Sequence, residues 1–263
     1  MKQKEELRVM LASKRQQEIL ELLEQKGHVY VSNLSRQFQV TKETIRRDLE
    51  AMEKQGLIHR THGGAVLNRK EKEASPLIQR EVAHLEAKRE IAKEAAKGIQ
   101  DGDIIALDSS DVSFQLARLL GEREITVITN SIAVTLEFLR QDKVKVITVG
   151  GYLNKDCTSF FGTMTEKSIE GYHVDKFFFS CHGVHLEHGI YENNEMEAQV
   201  KQKFISISDR LILLADHTKF GQKSLTNLLS LDKVDQIITD HGLPLNQLSA
   251  FKAEGLNIQL AQS

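Results

Sequence analysis

Arg46 and Arg47 sit within a stretch reading Thr41-Lys42-Glu43-Thr44-Ile45-Arg46-Arg47-Asp48-Leu49-Glu50. Ile45, Leu49 and Met52 recur at i, i+4 and i+7, which predicts an amphipathic helix with its apolar stripe turned inward. That stripe places Arg47 and Glu43 opposite Ile45, with Thr44 and Arg46 on the flanks. Arginine on such a face suits guanine edges and phosphate, because its planar fork of N–H donors meets two acceptors at once. Thr41 as N-cap leaves the first N–H groups of the helix near the surface, where a phosphate can sit. The competing interpretation is a solvated helix with ordinary charges.

Two other constellations carry different chemistry. Asp108, Asp111, Asp216 and Lys219 could be drawn as the acids and bases of a sugar-phosphate enzyme, the rival class for the C-terminal part. Cys181-His182, His185 and His188 combine thiolate and imidazole, which are good zinc ligands. Their stretch contains Gly183 and Gly189 and reads as a loop at a pocket rim, so no metal is expected. Cys157 and Cys181 read as buried small apolar groups in a reducing compartment.

The elements that must position these groups divide the chain. With 263 residues, 40% apolar, 27% charged and two prolines, the chain is comfortable for two folded domains. Apolar runs such as Leu211 to Ala215 fall far short of the roughly 18 to 20 residues a membrane span needs. The N-terminus carries charges of both signs and no secretory pattern, so a cytoplasmic protein is expected. Residues 1 to 70 hold 14 Lys and Arg against 9 Asp and Glu, a net +5; residues 71 to 263 hold 21 against 28, a net −7. A basic front part points to nucleic acid. Tyr30 and Phe38 are its only aromatics, which disfavours base stacking on RNA.

In the front part a helix is expected over Ser13 to Gln25, capped by Ser13 and stopped by Gly27. A short extended stretch, His28 to Val31, precedes a short helix that Ser32 would cap and that carries Leu34 and Phe38. Gln39 and Val40 make the turn into the Thr41 helix, which ends before Gly56. Two extended segments around Gly63-Gly64 then form a wing, from which Arg60 and His62 would meet the adjacent backbone or minor groove. The expected organisation is a DNA-binding domain at 1–67, a polar linker at 68–84 broken by Pro76, and a second domain at 85–263.

The second domain opens on helical periodicity in Ala87, Ile91, Ala92, Ala95 and Ile99, followed by the apolar run Ile104 to Leu107. Further strands are expected at Thr126 to Thr129, Val144 to Val149, Lys176 to Ser180, Arg210 to Leu214 and Gln236 to Thr239. Helices are expected at Ser113 to Leu120, Ser131 to Leu139, Thr163 to Gly171 and Glu195 to Ser208. This alternation predicts an α/β fold with a mostly parallel sheet covered on both faces and a ligand at the carboxyl ends of its strands.

The Thr41 to Glu50 run, followed by Gly56-Leu57-Ile58-His59-Arg60-Thr61-His62-Gly63-Gly64-Ala65, resembles the winged helix-turn-helix of the DeoR family of bacterial sugar-catabolism repressors. The resemblance covers residues about 14 to 240. In the second domain it includes Asp108, Thr129-Asn130-Ser131, Gly150-Gly151, Asp216 with Lys219-Phe220, and Thr239-Asp240. It implies a winged helix-turn-helix joined to a Rossmann-like sensor of a sugar phosphate, with no catalytic residues and no cofactor. DNA contacts are then expected from Thr41, Lys42, Thr44, Arg46, Arg47, Arg60, His62, Gly63 and Gly64. Effector contacts are expected from Asp108, Ser109, Ser110, Asp111, Thr129, Asn130, Ser131, Gly150, Gly151, Asp216 and Lys219.

The chain departs from the family's usual phosphate turn. Ser110 stands where Gly is usual, and Asp111 and Val112 stand where hydroxyl residues are usual. A carboxylate at an anion site is electrostatically wrong unless its charge is offset or it faces away. Ser110, together with Phe177-Phe178-Phe179-Ser180-Cys181 and Gly183, resembles the fucose-operon activator branch. The implied partners are double-stranded operator DNA, a ketose 1-phosphate of fucose or rhamnose metabolism, and further copies of the chain in a dimer or tetramer. The implied function is repression relieved by the sugar phosphate, with effector-dependent activation as the alternative.

Overall fold

The computed structural model describes residues 15–20, 22–23, 28–54, 57–61, 63–67, 84–155 and 157–262. The chain forms two compact units, 1–83 and 84–263. The capping roles expected of Ser13 and Gly27, residue His62 and the expected linker apart from His84 lie outside the described residues.

In the first unit, residues 15–20 are helical and bury Ile19; Leu23 is buried as well. Strand β1 (His28–Tyr30) leads into helix α1 (Val31–Gln37), and helix α2 (Lys42–Lys54) is followed by strands β2 (Ile58–Thr61) and β3 (Gly64–Leu67). Ile45, Leu49 and Met52 are buried as their spacing predicts, against Ile19, Leu34 and Ile58. Helix α1 starts one residue before the expected Ser32 cap. Tyr30 occupies the cap without a side-chain bond, and Gly63 O instead accepts from Val31 N at 2.9 Å. Gln39 makes the turn in the left-handed region at φ 52°.

The wing has three strands rather than two, because β3 pairs with β1 as well as with β2. Gly64 permits this: a Cβ there would fall 2.0 Å from Val29 O.

The second unit opens with helix α3 (Leu85–Lys97) and strand β4 (Ile104–Leu107). Helix α4 (Asp111–Ala117), strand β5 (Thr126–Thr129), helix α5 (Ile132–Glu137) and strand β6 (Lys145–Thr148) follow. Next come strands β7 (Tyr152–Asn154) and β8 (Ser159–Phe161), helix α6 (Thr163–Glu170) and strands β9 (Val174–Phe179), β10 (Gly183–His185) and β11 (Gly189–Glu192). The chain continues with helix α7 (Glu195–Ser206), strands β12 (Ser208–Leu214), β13 (Thr226–Leu229) and β14 (Gln236–Thr239), helix α8 (Leu245–Ala253) and strand β15 (Ile258–Leu260).

Seven strands make one parallel sheet in the order β15-β14-β12-β9-β4-β5-β6. Successive phenylalanines of β9 show how it is covered on both faces. Phe177 and Phe179 join one apolar cluster with Phe204 of α7 and Phe251 of α8, while Phe178 joins the other with Ile91 of α3 and Leu116 of α4. The strand order reverses at β4: the chain runs outward through β5 and β6, then returns to place β9 on the other side. A crevice at the carboxyl ends of β4 and β9 is where such sheets take ligands.

The expected loop after Cys181 is instead a hairpin of β10 and β11, extended by β13 into a three-stranded antiparallel sheet. Helix α4 begins at Asp111, two residues before the expected start, because Ser110 caps it by accepting from Ser113 N. Among the described residues no helix is long and apolar enough to cross a membrane.

Candidate nucleic-acid interface and sensor site

Helix α2 is built outward from its buried stripe. Thr41 Oγ1 accepts from Thr44 N at 3.1 Å, so the expected cap forms and Thr44 is tied to it. Lys42, Glu43, Arg46 and Arg47 are exposed. Arg46 and Arg47 reach Glu43 at 3.5 and 3.8 Å, with 56% and 80% of their side chains exposed. Exposed pairs of this kind contribute about 0–1 kcal/mol, so a phosphate or base can replace them at small cost.

On the wing, Arg60 is exposed, and Glu53 Oε1 accepts from its backbone N–H at 2.9 Å. Gly63 is exposed at φ +94°, and Gly64 is buried against β1.

One residue of this motif faces inward. Asp48 is buried, and Arg15 donates to both of its oxygens, at 2.6 and 3.2 Å. The pair clamps the first helical segment to α2. The signal for it was present: Asp48 stands next to Leu49, three residues after Ile45, where an unpaired carboxylate would be costly.

In the sensor unit, Asp108 ends β4 at the reversal point and is fully engaged within the chain. Its Oδ1 accepts from Ser110 N at 3.1 Å and from the hydroxyls of Ser110 and Ser113 at 2.6 Å each. Its Oδ2 accepts from Ser180 N at 2.9 Å and lies 3.1 Å from Lys201 Nζ. Asp108 therefore builds the turn and ties β4 to β9. Ser109 is half-buried, and its hydroxyl makes no hydrogen bond among the described residues. The Asp111 charge is offset: Lys88 Nζ donates to its Oδ2 at 2.9 Å, with 13% and 15% of the two side chains exposed.

At the end of β5, Thr129 Oγ1 donates to Leu107 O at 2.8 Å and accepts from Ser131 N at 3.0 Å. Ser131 caps α5. Asn130 Nδ2 donates to Phe160 O at 3.0 Å, while its buried Oδ1 has no partner among the described residues. Gly150 faces open space; a Cβ at Gly151 would fall 2.0 Å from Thr165 Oγ1, so the second glycine serves close packing of α6.

The turn after β12 holds Asp216, whose Oδ1 accepts from the backbone N–H and the hydroxyl of Thr218. Burial works to raise the Asp216 pKa, but Lys219, Thr218 and His84 outweigh it and hold it below the usual carboxylate range. Lys219 is half-buried, and its ammonium acts on the Asp216 carboxylate without a direct hydrogen bond or contact ion pair among the described residues. His217 Nδ1 and Asp240 Oδ2 are hydrogen-bonded at 2.7 Å, and the His84 ring meets His217 edge-on at 5.6 Å.

Lys201 and Glu192 escaped the sequence analysis. Lys201 Nζ donates to Glu192 Oε1 at 2.6 Å and to Ser180 O at 2.7 Å. Burial works to lower the Lys201 pKa, yet Glu192, Asp108 and Glu197 raise it above the ordinary lysine value. Glu192 is depressed in turn: burial opposes ionisation, and the Lys201 ammonium and His182 overcome it. The clue in the sequence is helical spacing, since Lys201 falls on the same face as Ala198 and Phe204. Cys181 is a neutral thiol, its pKa pushed up to about 12 by burial and then by Glu192. His182 Nδ1 lies 3.6 Å from Glu192 Oε2, and among the described residues neither Cys181 nor His182 belongs to the group of converging ligand atoms that contains His185 and His188.

Residues 15–71 match the DeoR-like helix-turn-helix domain, and residues 83–241 match the DeoR C terminal sensor domain. The chain belongs to the DeoR family. This DeoR-family regulator is 39% identical over 95% of its length to the HTH-type transcriptional regulator YulB of Bacillus subtilis (strain 168), covering 96% of that protein. It is 36% identical over 87% of its length to the L-fucose operon activator of Haemophilus influenzae, covering 92% of it. It is 32% identical over 87% of its length to the transcriptional repressor AccR of Agrobacterium fabrum, covering 89%.

These relatives are transcriptional regulators, and the chain is a regulator rather than an enzyme. Ribose 5-phosphate isomerase A of Methanocaldococcus jannaschii matches 52% of the chain with 55% of its own at 18% identity and a TM-score of 0.40, too distant to bear on function.

Proposed function

We propose that the chain represses a sugar-catabolic operon in the cytoplasm and leaves its operator when a phosphorylated sugar binds the sensor unit. The carrying observation is the outer face of α2, where Arg46 and Arg47 are exposed and held by exposed pairs to Glu43. Thr41, Lys42, Thr44, Arg60, His62 and Gly63 complete the proposed DNA surface, while Gly64, expected there, is buried against β1 and shapes the wing instead; two or four copies would present paired readers to repeated half-sites. In the test, Arg46→Ala and Arg47→Ala should each cost about 1–3 kcal/mol of operator binding with melting unchanged. Full binding by the double variant would overturn the assignment.

For the effector, the Lys88–Asp111 pair supports a particular layout. The α4 turn already carries its own carboxylate, so the ligand phosphate docks at Lys219, with Ser109, Asn130 and Gly150 around the sugar. Asp108, Ser110, Thr129, Ser131, Gly151 and Asp216 hold the turns that present them. The candidate ligands are L-fuculose 1-phosphate and L-rhamnulose 1-phosphate. The L-fucose operon activator relative supports the first and also favours activation as the second reading; no relative named above supports rhamnose.

A further inference from the structure

A tight turn brings three metal-ligating side chains together at the tip of the β10–β11 hairpin. His185 pairs with Gly189 as the last rung, and His188 N donates to His185 O at 3.2 Å. Gly189 closes the turn at φ +86°, and a Cβ there would lie 2.3 Å from Leu229 O, so both backbone conformation and space require glycine. From β13, Asn227 Nδ2 donates to His188 O at 2.6 Å. On this restrained turn His185, Glu187 and His188 each offer one ligand atom, and the three lie within 4.8 Å of one another. The imidazole rings are 4.7 Å apart, Glu187 N donates to His185 Nδ1 at 3.3 Å, and His188 Nε2 lies 3.8 Å from Glu187 Oε2.

We propose that His185, Glu187 and His188 bind a divalent transition-metal ion of the zinc class. Two imidazoles and a carboxylate suit zinc, cobalt or nickel; calcium and magnesium take oxygen donors. Metal bonds of about 2.0–2.2 Å draw the three atoms closer together, a shift that small side-chain rotations on an exposed turn supply. Three protein ligands leave the fourth position to water. The ion clips the tip of a hairpin whose far end is Glu192, the buried partner of Lys201. His173, Asp175 and Asp209 also converge within 4.8 Å, but His173 and Asp209 are already hydrogen-bonded to each other at 2.9 Å, so that group serves as the control.

The experiment is competition for zinc between a chromophoric chelator and the full-length chain without added tag residues. Wild type should take one zinc per chain. His185→Asn and His188→Asn should each weaken uptake at least about tenfold, and His173→Asn should leave it unchanged. Melting in excess chelator establishes that the variants are folded, and Glu187→Gln, confined to an exposed side chain, gives a second reading. No zinc uptake by wild type, or uptake that survives both the His185 and His188 substitutions, overturns the site.

Discussion

Arg47 of α2 is 80% exposed with Glu43 at 3.8 Å, whereas the Lys201 side chain is 7% exposed and lies within 3.1 Å of both Asp108 and Glu192. The two sites use cations in opposite ways. On α2, Arg46 and Arg47 are held loosely at the surface, so exchange for a polyanion costs little. In the second, Lys201 is locked at the reversal point of the sheet, where it joins the ends of β4, β9 and β11. The first arrangement suits a contact surface; the second is a scaffold that holds strand ends together at the reversal point.

The largest effect tests the scaffold. Lys201→Met leaves two buried carboxylates without their cation and should cost about 3–5 kcal/mol, with exchange protection lost in the 84–262 unit first. Urea unfolding followed by hydrogen exchange checks it; wild-type stability would make Lys201 another surface-like charge and erase the contrast. The Arg46→Ala and Arg47→Ala substitutions should do the reverse, with full stability and weaker DNA binding by about 1–3 kcal/mol each.

Acid sharpens the same contrast. Glu192 and Asp216 have pKa values lowered on folding. Their contribution is therefore present above the unfolded carboxylate pKa and lost as pH falls below it toward the folded values. Exchange rates across the sensor unit should rise as pH drops below the usual carboxylate range, after correction for intrinsic exchange, and Lys201→Met should blunt the dependence. The smallest effect concerns Asp111. With the phosphate docked at Lys219, Asp111→Ser, which removes only the carboxylate paired with Lys88, should change affinity for inorganic phosphate by less than about 0.5 kcal/mol. Calorimetric titration reads it, and a several-fold rise would move the anion locus to α4.

Much of the fold was legible because period decides it. Ile45, Leu49 and Met52 announced α2, and β5 and β14 fell where β-branched runs stood between turn signals. The three-stranded wing was not legible, since β3 meets β1 only because Gly64 lacks a side chain, a fact of tertiary approach. The β10–β11 hairpin was read as a loop because its strands have three and four residues, too short for alternation to register. At the sites, Arg46 and Arg47 could be placed from the helix stripe alone. Lys201, Glu192 and the Arg15–Asp48 clamp are pairs joined across the fold, and no local pattern states a partner. Asp111 was recognised as out of place, and Lys88, 23 residues away, is what offsets it.

Under the proposed function, ligand binding in the sensor unit loosens the hold of the first unit on DNA. The direct measurement is titration of operator DNA, selected from random sequence by the full-length chain, with and without L-fuculose 1-phosphate and L-rhamnulose 1-phosphate. A coupling of about 1–3 kcal/mol predicts a 5- to 150-fold rise in operator Kd with at least one of them, a rise that Lys219→Ala reduces while leaving the ligand-free Kd intact. Tighter DNA binding with either ligand, or no change with both, would contradict it.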